Sequence, residues 1–195
     1  MFTGIVQAIG EIARATPAAG GLRLEVEAGA LGLEGVAIGD SICIQGACMT
    51  VTSLAGSRFG VDISRESLDC TVGLDRPGRV NLEKSLKMGD ALGGHLVTGH
   101  VDAVGEVIAA EPAGESRLLR VQAPAALSRY IARKGSICID GVSLTVNRVE
   151  RERFDVNLIP HTLAVTTLGR LSAGAKLNLE VDLIARYVER MVPRE

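Results

Sequence analysis

The 195-residue sequence has no tryptophan, and only 3% of its residues are aromatic. A core built on stacked rings is excluded, so packing must rest on aliphatic side chains. It also has no excess of charge of one sign: 21 Lys and Arg against 23 Asp and Glu leave a net charge of −2. A broad nucleic-acid face would need a basic excess, and that class is set aside. Long hydrophobic runs are missing too. The mean hydropathy of +0.25 comes from scattered Val, Ile, Leu and Ala, and no run approaches the ~20 residues needed to cross a bilayer. Met1 to Val6 has neither a basic stretch nor a sustained apolar one, so no signal peptide is expected. The four cysteines, Cys43, Cys48, Cys70 and Cys138, show no CxxC spacing and no histidine cluster. That argues against zinc or a disulfide framework and fits a reducing, cytoplasmic setting.

Glycine, by contrast, is abundant at 23 residues, which favours turn-rich β structure. The chain also repeats itself. Thr3-Gly4, Gly10-Glu11, Ser41-Ile42-Cys43-Ile44, Gly46, Thr50-Val51, Arg58-Phe59 and Thr71 each recur 95 residues later. Between 3–71 and 98–166, 26 of 69 positions are identical without a gap. An offset this long means a duplicated domain rather than a solenoid.

Each half reads as short strands. Leu22–Glu27, Leu118–Gln122, Phe59–Ile63 and Phe154–Ile159 alternate, while Ser41–Ile44 and Ser136–Ile139 are β-branched runs. Met49–Ser53 and Leu144–Arg148 follow after glycine-containing turns. Strands at about ten-residue spacing predict a closed barrel in each half, which also removes sticky edges. Pro124 to Ile131 reads as a short helix, with Ala30–Val36 a weaker counterpart. Beyond Asp182, the spacing of Leu183, Ile184, Tyr187, Val188 and Met191 predicts an amphipathic helix. This helix packs on its own barrel or joins other subunits.

Where a duplicated domain keeps or changes small polar groups, function shows. Thr50 and Thr145 agree, but Cys48 corresponds to Ser143, Ile5 to His100 and Glu66 to His161. A thiol at Cys48 reads as either a nucleophile or a small apolar filler. Cys43 and Cys138 sit in apolar strands at equivalent positions and read as packing residues, and Cys70 carries no signal. His95 and His100 are five residues apart, on opposite faces of an extended strand, and make poor co-ligands for one metal. One suits an inter-domain hydrogen bond, the other a pocket.

At these residues the sequence resembles the riboflavin synthase family. The matching pieces are Met1 to Val6, Gly46 to Thr52, Gly93 to Val101, Asp140 to Val146, Ile159 to Leu163 and Asn178 to Glu189, with the duplication in the same place. The resemblance implies an all-β fold: two tandem homologous six-stranded Greek-key-like barrels, residues 1–92 and 93–182, then a trimerisation helix at 183–195. It implies a transferase with no cofactor and no metal. Two molecules of 6,7-dimethyl-8-ribityllumazine dismutate by four-carbon transfer to riboflavin and 5-amino-6-(D-ribitylamino)uracil. The site lies between the N-barrel of one subunit and the C-barrel of its neighbour in a homotrimer. Association with lumazine synthase is left open, and neither membrane nor nucleic acid is a partner.

The same resemblance implies a set of site residues. Gly4, Ile5, Val6, Gly99, His100 and Val101 would meet the flat heterocycle with backbone groups, and Thr50 and Thr145 would add hydroxyls. Asp62, Ser64, Glu66 and Ser67 in one half, with Ile159, His161 and Thr162 in the other, would meet the ribityl chain. Met49 and Leu144 flank Cys48 and Ser143 as apolar walls. His100 is the choice for proton transfer. Cys48 or Ser143 would supply or orient the nucleophile, and Lys134 and Asp182 are the charged pair near the site. Departures are modest: Ala47 and Met49 beside Cys48, and Ser64-Arg65-Glu66-Ser67 in the first ribityl region. The main alternative is a non-catalytic lumazine- or flavin-binding antenna protein on the same scaffold. A flavin reductase would need a Gly-rich nicotinamide turn that is absent, and a purely structural pair of barrels would not diverge at so few polar positions.

Overall fold

A computed structural model describes residues 1–192. The first half folds as β1 (Ala8–Ala18), β2 (Gly21–Glu27), β3 (Ser41–Ile44), β4 (Ala47–Ala55), β5 (Arg58–Ser64), α1 (Arg65–Cys70) and β6 (Gly78–Lys84). The second folds as β7 (Ala103–Ala113), β8 (Ser116–Gln122), β9 (Ser136–Ile139), β10 (Val142–Glu150), β11 (Arg153–Leu158), α2 (Pro160–Val165) and β12 (Lys176–Val181), followed by α3 (Leu183–Met191). Each set closes into a six-stranded antiparallel barrel, in the order β1-β2-β5-β4-β3-β6 and its equivalent. The register breaks repeat as well: bulges at Ile12/Arg14 and Val51/Ser53 recur at Val107/Ala109 and Val146/Arg148, each displaced by 95 residues. These bulges bend the strands enough to close so small a barrel.

The expected strands are present. The short helix expected over 124–131 forms as a 3-10 segment at Ala125–Tyr130, and its weaker counterpart at 30–36 is only the turn Gly29–Leu31. Pro124 stands in extended backbone at the cap rather than inside a first α-turn. Two short helices, α1 and α2, follow β5 and β11. Ser64 caps α1 by accepting from the Ser67 N–H at 3.1 Å, and Pro160 starts α2. Each barrel fills with its own aliphatic core around one phenylalanine, Phe59 or Phe154.

The barrels meet across a pseudo-twofold relation. The β3–β4 and β9–β10 hairpins turn on Gln45-Gly46 and Asp140-Gly141, with φ positive at both residues of each turn. The two turns touch: a Cβ on Gly46 would lie 2.9 Å from the Gly141 nitrogen. The Asn81 side-chain amide donates to the Asp140 carbonyl at 2.8 Å, and that of Asn178 donates to the Gln45 carbonyl at 2.9 Å. The Gln45 side chain accepts from the Asn81 N–H, and the Asp140 carboxyl from the Asn178 N–H. The chemical difference is that Asp140 stands where the first half has neutral Gln45.

Burial raises the Asp140 carboxyl to about 7, against hydrogen bonds from Asn178 and Gln45 that pull it down. In the unfolded chain the group ionises at its ordinary value, so between the two pH values ionisation favours unfolding. Its contribution to stability is fully present below pH 4 and falls by about 1.4 kcal/mol per pH unit up to about pH 7. Above that it is flat. Asp140→Asn is expected to remove this decline and to leave the protein more stable than wild type at pH 8, checked by denaturant unfolding of both proteins at pH 5 and pH 8.

Candidate functional site

The polar framework starts at the two Thr-Gly pairs. The Glu83 carboxylate, on β6, accepts from the Thr3 N–H and hydroxyl at 2.7 Å each and from the Gly4 N–H at 3.0 Å. Glu180, on β12, does the same for Thr98 (2.7 Å twice) and Gly99 (2.8 Å). Each glycine then faces the other barrel. The Gly4 carbonyl accepts from the Ser143 N–H, and the Gly99 carbonyl from the Cys48 N–H, both at 2.8 Å. Val6 packs on the second barrel's core and Val101 on the first's. The leading segment of each half therefore forms the rim of the opposite barrel.

That exchange decides which side chains meet. A cavity of about 300 Å³ on the first barrel is lined by Ala47, Cys48, Met49, Glu66, Ser67, Cys70, Thr71, Gly99, His100 and Val101. Cys48 is half-buried and His100 exposed. At the equivalent sequence positions the second half carries Ser143, Leu144, His161 and Thr162, and the Gly4 carbonyl and the Val6 side chain reach that barrel. Within one chain the structure thus brings Cys48 together with His100, while Ser143 belongs to the other barrel. The Ser143 hydroxyl lies 2.7 Å from Nδ1 of His95, not beside His100. The segment carrying both histidines is not a regular strand. It makes a single bridge, Phe2 to Val97, which buries His95 and leaves His100 outside.

The remaining expected residues are placed as follows. Thr50 and Thr145 stand exposed two residues beyond Cys48 and Ser143, on the same strand face. Asp62 is held by the Arg23 guanidinium at 2.7 and 3.0 Å, whose hydrogen bond keeps its carboxyl below the usual range. Ser64 caps α1, and Ile159 is exposed just before α2. Lys134 is exposed in left-handed backbone at φ +68°, where the first half has Gly39 at φ +98°. Asp182 caps α3 by accepting from the Ile184 N–H at 2.9 Å. Cys43 and Cys138 are fully buried, and burial pushes both thiols well above their ordinary value, which leaves them inert.

Sequence reasoning missed Glu83 and Glu180, although Asn-Leu-Glu occurs at 81–83 and 178–180. The offset there is 97, so a search held to 95 passes over it. It also gave Cys70 no role, since only the fold turns the end of α1 toward Cys48. Among the described residues, no cluster of His, Cys, Asp and Glu suits a metal ion, and no helix is long and apolar enough to cross a membrane.

Comparison with known proteins agrees with the duplicated fold. The lumazine binding domain family matches twice, over residues 3–85 and 98–182. Riboflavin synthase of Mycobacterium bovis is 43% identical over 198 residues, covering 98% of both chains. Riboflavin synthase of Brucella abortus is 44% identical with the same coverage. That of Photobacterium phosphoreum is 41% identical over 194 residues, 98% of this chain and 89% of its own. Among solved structures, LumP complexed with riboflavin superposes with a TM-score of 0.83 at 28% identity, covering 93% of this chain and 99% of LumP. LumP complexed with 6,7-dimethyl-8-(1'-D-ribityl) lumazine gives 0.82 at 25% identity with the same coverage.

The rim geometry makes a sharp demand at Gly99. Its φ is +78°, and a Cβ there would lie 2.6 Å from the Cys48 Cβ and 2.7 Å from the Cys48 nitrogen. Gly20, at φ +82°, has open space instead. Gly20→Ala is expected to cost about 1–2 kcal/mol of backbone strain alone. Gly99→Ala should cost about 1–3 kcal/mol more through overpacking. Denaturant unfolding of the two variants side by side checks the difference.

Proposed function

The chain belongs to the riboflavin synthase family of duplicated lumazine-binding domains, and from that premise we propose that it converts two 6,7-dimethyl-8-ribityllumazine molecules to riboflavin and 5-amino-6-(D-ribitylamino)uracil. One molecule donates a four-carbon unit and the other accepts it. The observation that carries the reading is the pair of unlike barrels, the first with a cavity beside Cys48 and His100. They share one polar framework, so both suit the same ring system. They differ at Cys48/Ser143, Glu66/His161 and Ile5/His100, so the two rings meet different side chains. A cavity of about 300 Å³ is the size that takes one small organic ligand.

In the proposed reaction the first barrel, within unit 1–92, holds one lumazine and the second, within 93–182, holds the other. His100, exposed at its pocket rim, moves a proton at the C7 methyl group. Cys48 or Ser143 supplies or orients the nucleophile. Lys134 supports the charge that develops, and the use of a lysine where Gly39 suffices in the first half fits such a role. Left-handed backbone costs a non-glycine residue about 1–2 kcal/mol, and such strain concentrates at functional positions. Holding two reactants in register is itself worth ~7–11 kcal/mol of barrier. The chemistry needs no metal and no redox cofactor.

Membership of the family supports a productive pair formed between the N-barrel of one subunit and the C-barrel of the next. The terminal helix supports assembly. Its charged side is tied to its own chain, through Arg186 with Asp102 at 2.9 Å and Glu189 with Arg129 at 3.0 Å. Its apolar side faces out, with Ile184 64%, Tyr187 62% and Met191 81% exposed. Residues at i, i+3, i+4 and i+7 form one stripe, as a three-helix contact requires. Residues 193–195 of the expected helical segment lie outside the described residues.

The direct test incubates the purified protein with 6,7-dimethyl-8-ribityllumazine alone and follows riboflavin by chromatography. One riboflavin per two lumazines consumed is the expected outcome. Tight binding with altered fluorescence and no product would replace the enzyme reading by a pigment-binding one. Removal of residues 183–195 is expected to give monomers that bind lumazine but turn it over at least tenfold more slowly, measured by sedimentation and rate. A truncated protein that still sediments as a trimer would overturn the assembly.

A further inference from the structure

We propose that His95 is a positioning residue that holds the Ser143 hydroxyl in one orientation for the chemistry of the second pocket. The inference rests on the reaction proposed above and assigns a role to a histidine outside the pocket lining. Ser143 Oγ and His95 Nδ1 are 2.7 Å apart. Three groups close around the serine. A Cβ on Gly94 would lie 2.9 Å from Ser143 Oγ, and one on Gly4 would lie 2.6 Å from Ser143 Cβ. The His95 main-chain N–H donates to the Thr3 carbonyl at 3.1 Å, which anchors the segment to the framework gripped by Glu83. The two glycines and the imidazole thus leave the hydroxyl little freedom.

The protonation state fits this arrangement. Burial lowers the imidazole's affinity for a proton, against the pull of the Asp182 and Glu180 carboxylates. A neutral ring has one bare nitrogen. With Nδ1 bare it accepts the Ser143 O–H, leaving the oxygen lone pairs for a substrate N–H or a water. Nε2 points to why the residue is more than structural. His95 is only 9% exposed, and Nε2 is buried without a hydrogen-bond partner. An unpaired buried nitrogen destabilises a fold, so a purely structural contact would be met better by an apolar residue. The first pocket is built otherwise: the cavity holding Cys48 takes its imidazole from His100 at the exposed rim. The cysteine of the first barrel has a solvent-facing histidine in its cavity, whereas the serine of the second has an internal one bound to it.

The test compares His95→Ala, His95→Asn, Ser143→Ala and the His95→Ala/Ser143→Ala double variant in steady-state turnover of ribityllumazine. Asparagine keeps a hydrogen-bonding group near the Nδ1 position. His95→Ala is expected to lower kcat ten- to hundredfold with KM within about threefold. His95→Asn should recover most of the loss, and the double variant should be no slower than Ser143→Ala. Losses that multiply in the double variant, or an equal fall for His95→Asn and His95→Ala, would overturn the proposal. If His95→Ala does not fold, imidazole nitrogen NMR on the wild type and on Ser143→Ala decides: the His95 Nδ1 resonance must move when the hydroxyl is removed, and an unmoved resonance sinks the pairing. A wild type that forms no riboflavin would refute the reaction instead, and the NMR comparison would still decide the His95–Ser143 pair.

Discussion

Two buried glutamates organise the whole molecule. Glu83 and Glu180 each close a strand of their own barrel, and each takes three hydrogen bonds from a Thr-Gly pair. A buried carboxylate demands such partners, because an unpaired charge away from water is very costly. Burial indeed raises Glu83, and the three donors from Thr3 and Gly4 pull it back. Satisfying the glutamates fixes Gly4 and Gly99 in left-handed backbone, and that conformation turns each following segment onto the opposite barrel. The pocket rims, the contacts to Cys48 and Ser143, and the closeness of the barrels all follow from that grip.

The duplicated barrel explains why the pattern occurs twice, and the interface explains why the copies remain tied. The asparagines at 81 and 178 each bond across to the other half's hairpin turn. A change on one side leaves a buried polar partner unmatched on the other. Divergence is thereby steered away from the framework and toward positions that face a pocket, where Cys48 and Ser143, Glu66 and His161, and Ile5 and His100 differ. Asp140 against Gln45 is the exception at the interface itself, a carboxyl with the same acceptor role as the amide it replaces but with a titration the first half lacks.

Much of this was legible in the chain. The repeat, the strands, the barrel class and the apolar face of α3 follow from spacing, since both period-two alternation and helical stripes are local properties. The unlike pairs Cys48/Ser143 and Ile5/His100 were visible because the offset of 95 holds through both. What was not legible is partnership between distant segments. The offset says that His100 replaces Ile5. It does not say that His100 crosses to the Cys48 barrel, or that His95 takes the serine. Those pairings depend on the rim exchange, which depends on glutamates lying beyond the point where the gap-free repeat ends.

The exchange also bears on how such a protein treats two identical reactants differently. If each barrel built its pocket only from its own residues, divergence in one half would alter one pocket. Here the cavity on the first barrel is a composite, with walls from one half and a rim of Gly99, His100 and Val101 from the other. His100 lies in the second half but lines the cavity of the first barrel, whereas Val6 lies in the first half and packs on the core of the second. A substitution in a rim therefore changes one pocket while leaving untouched the strands that hold the other. That separation lets a pair of barrels keep one common mode of gripping a ring while giving each copy of the ring different neighbours, and a donor and an acceptor that start as the same molecule require that difference.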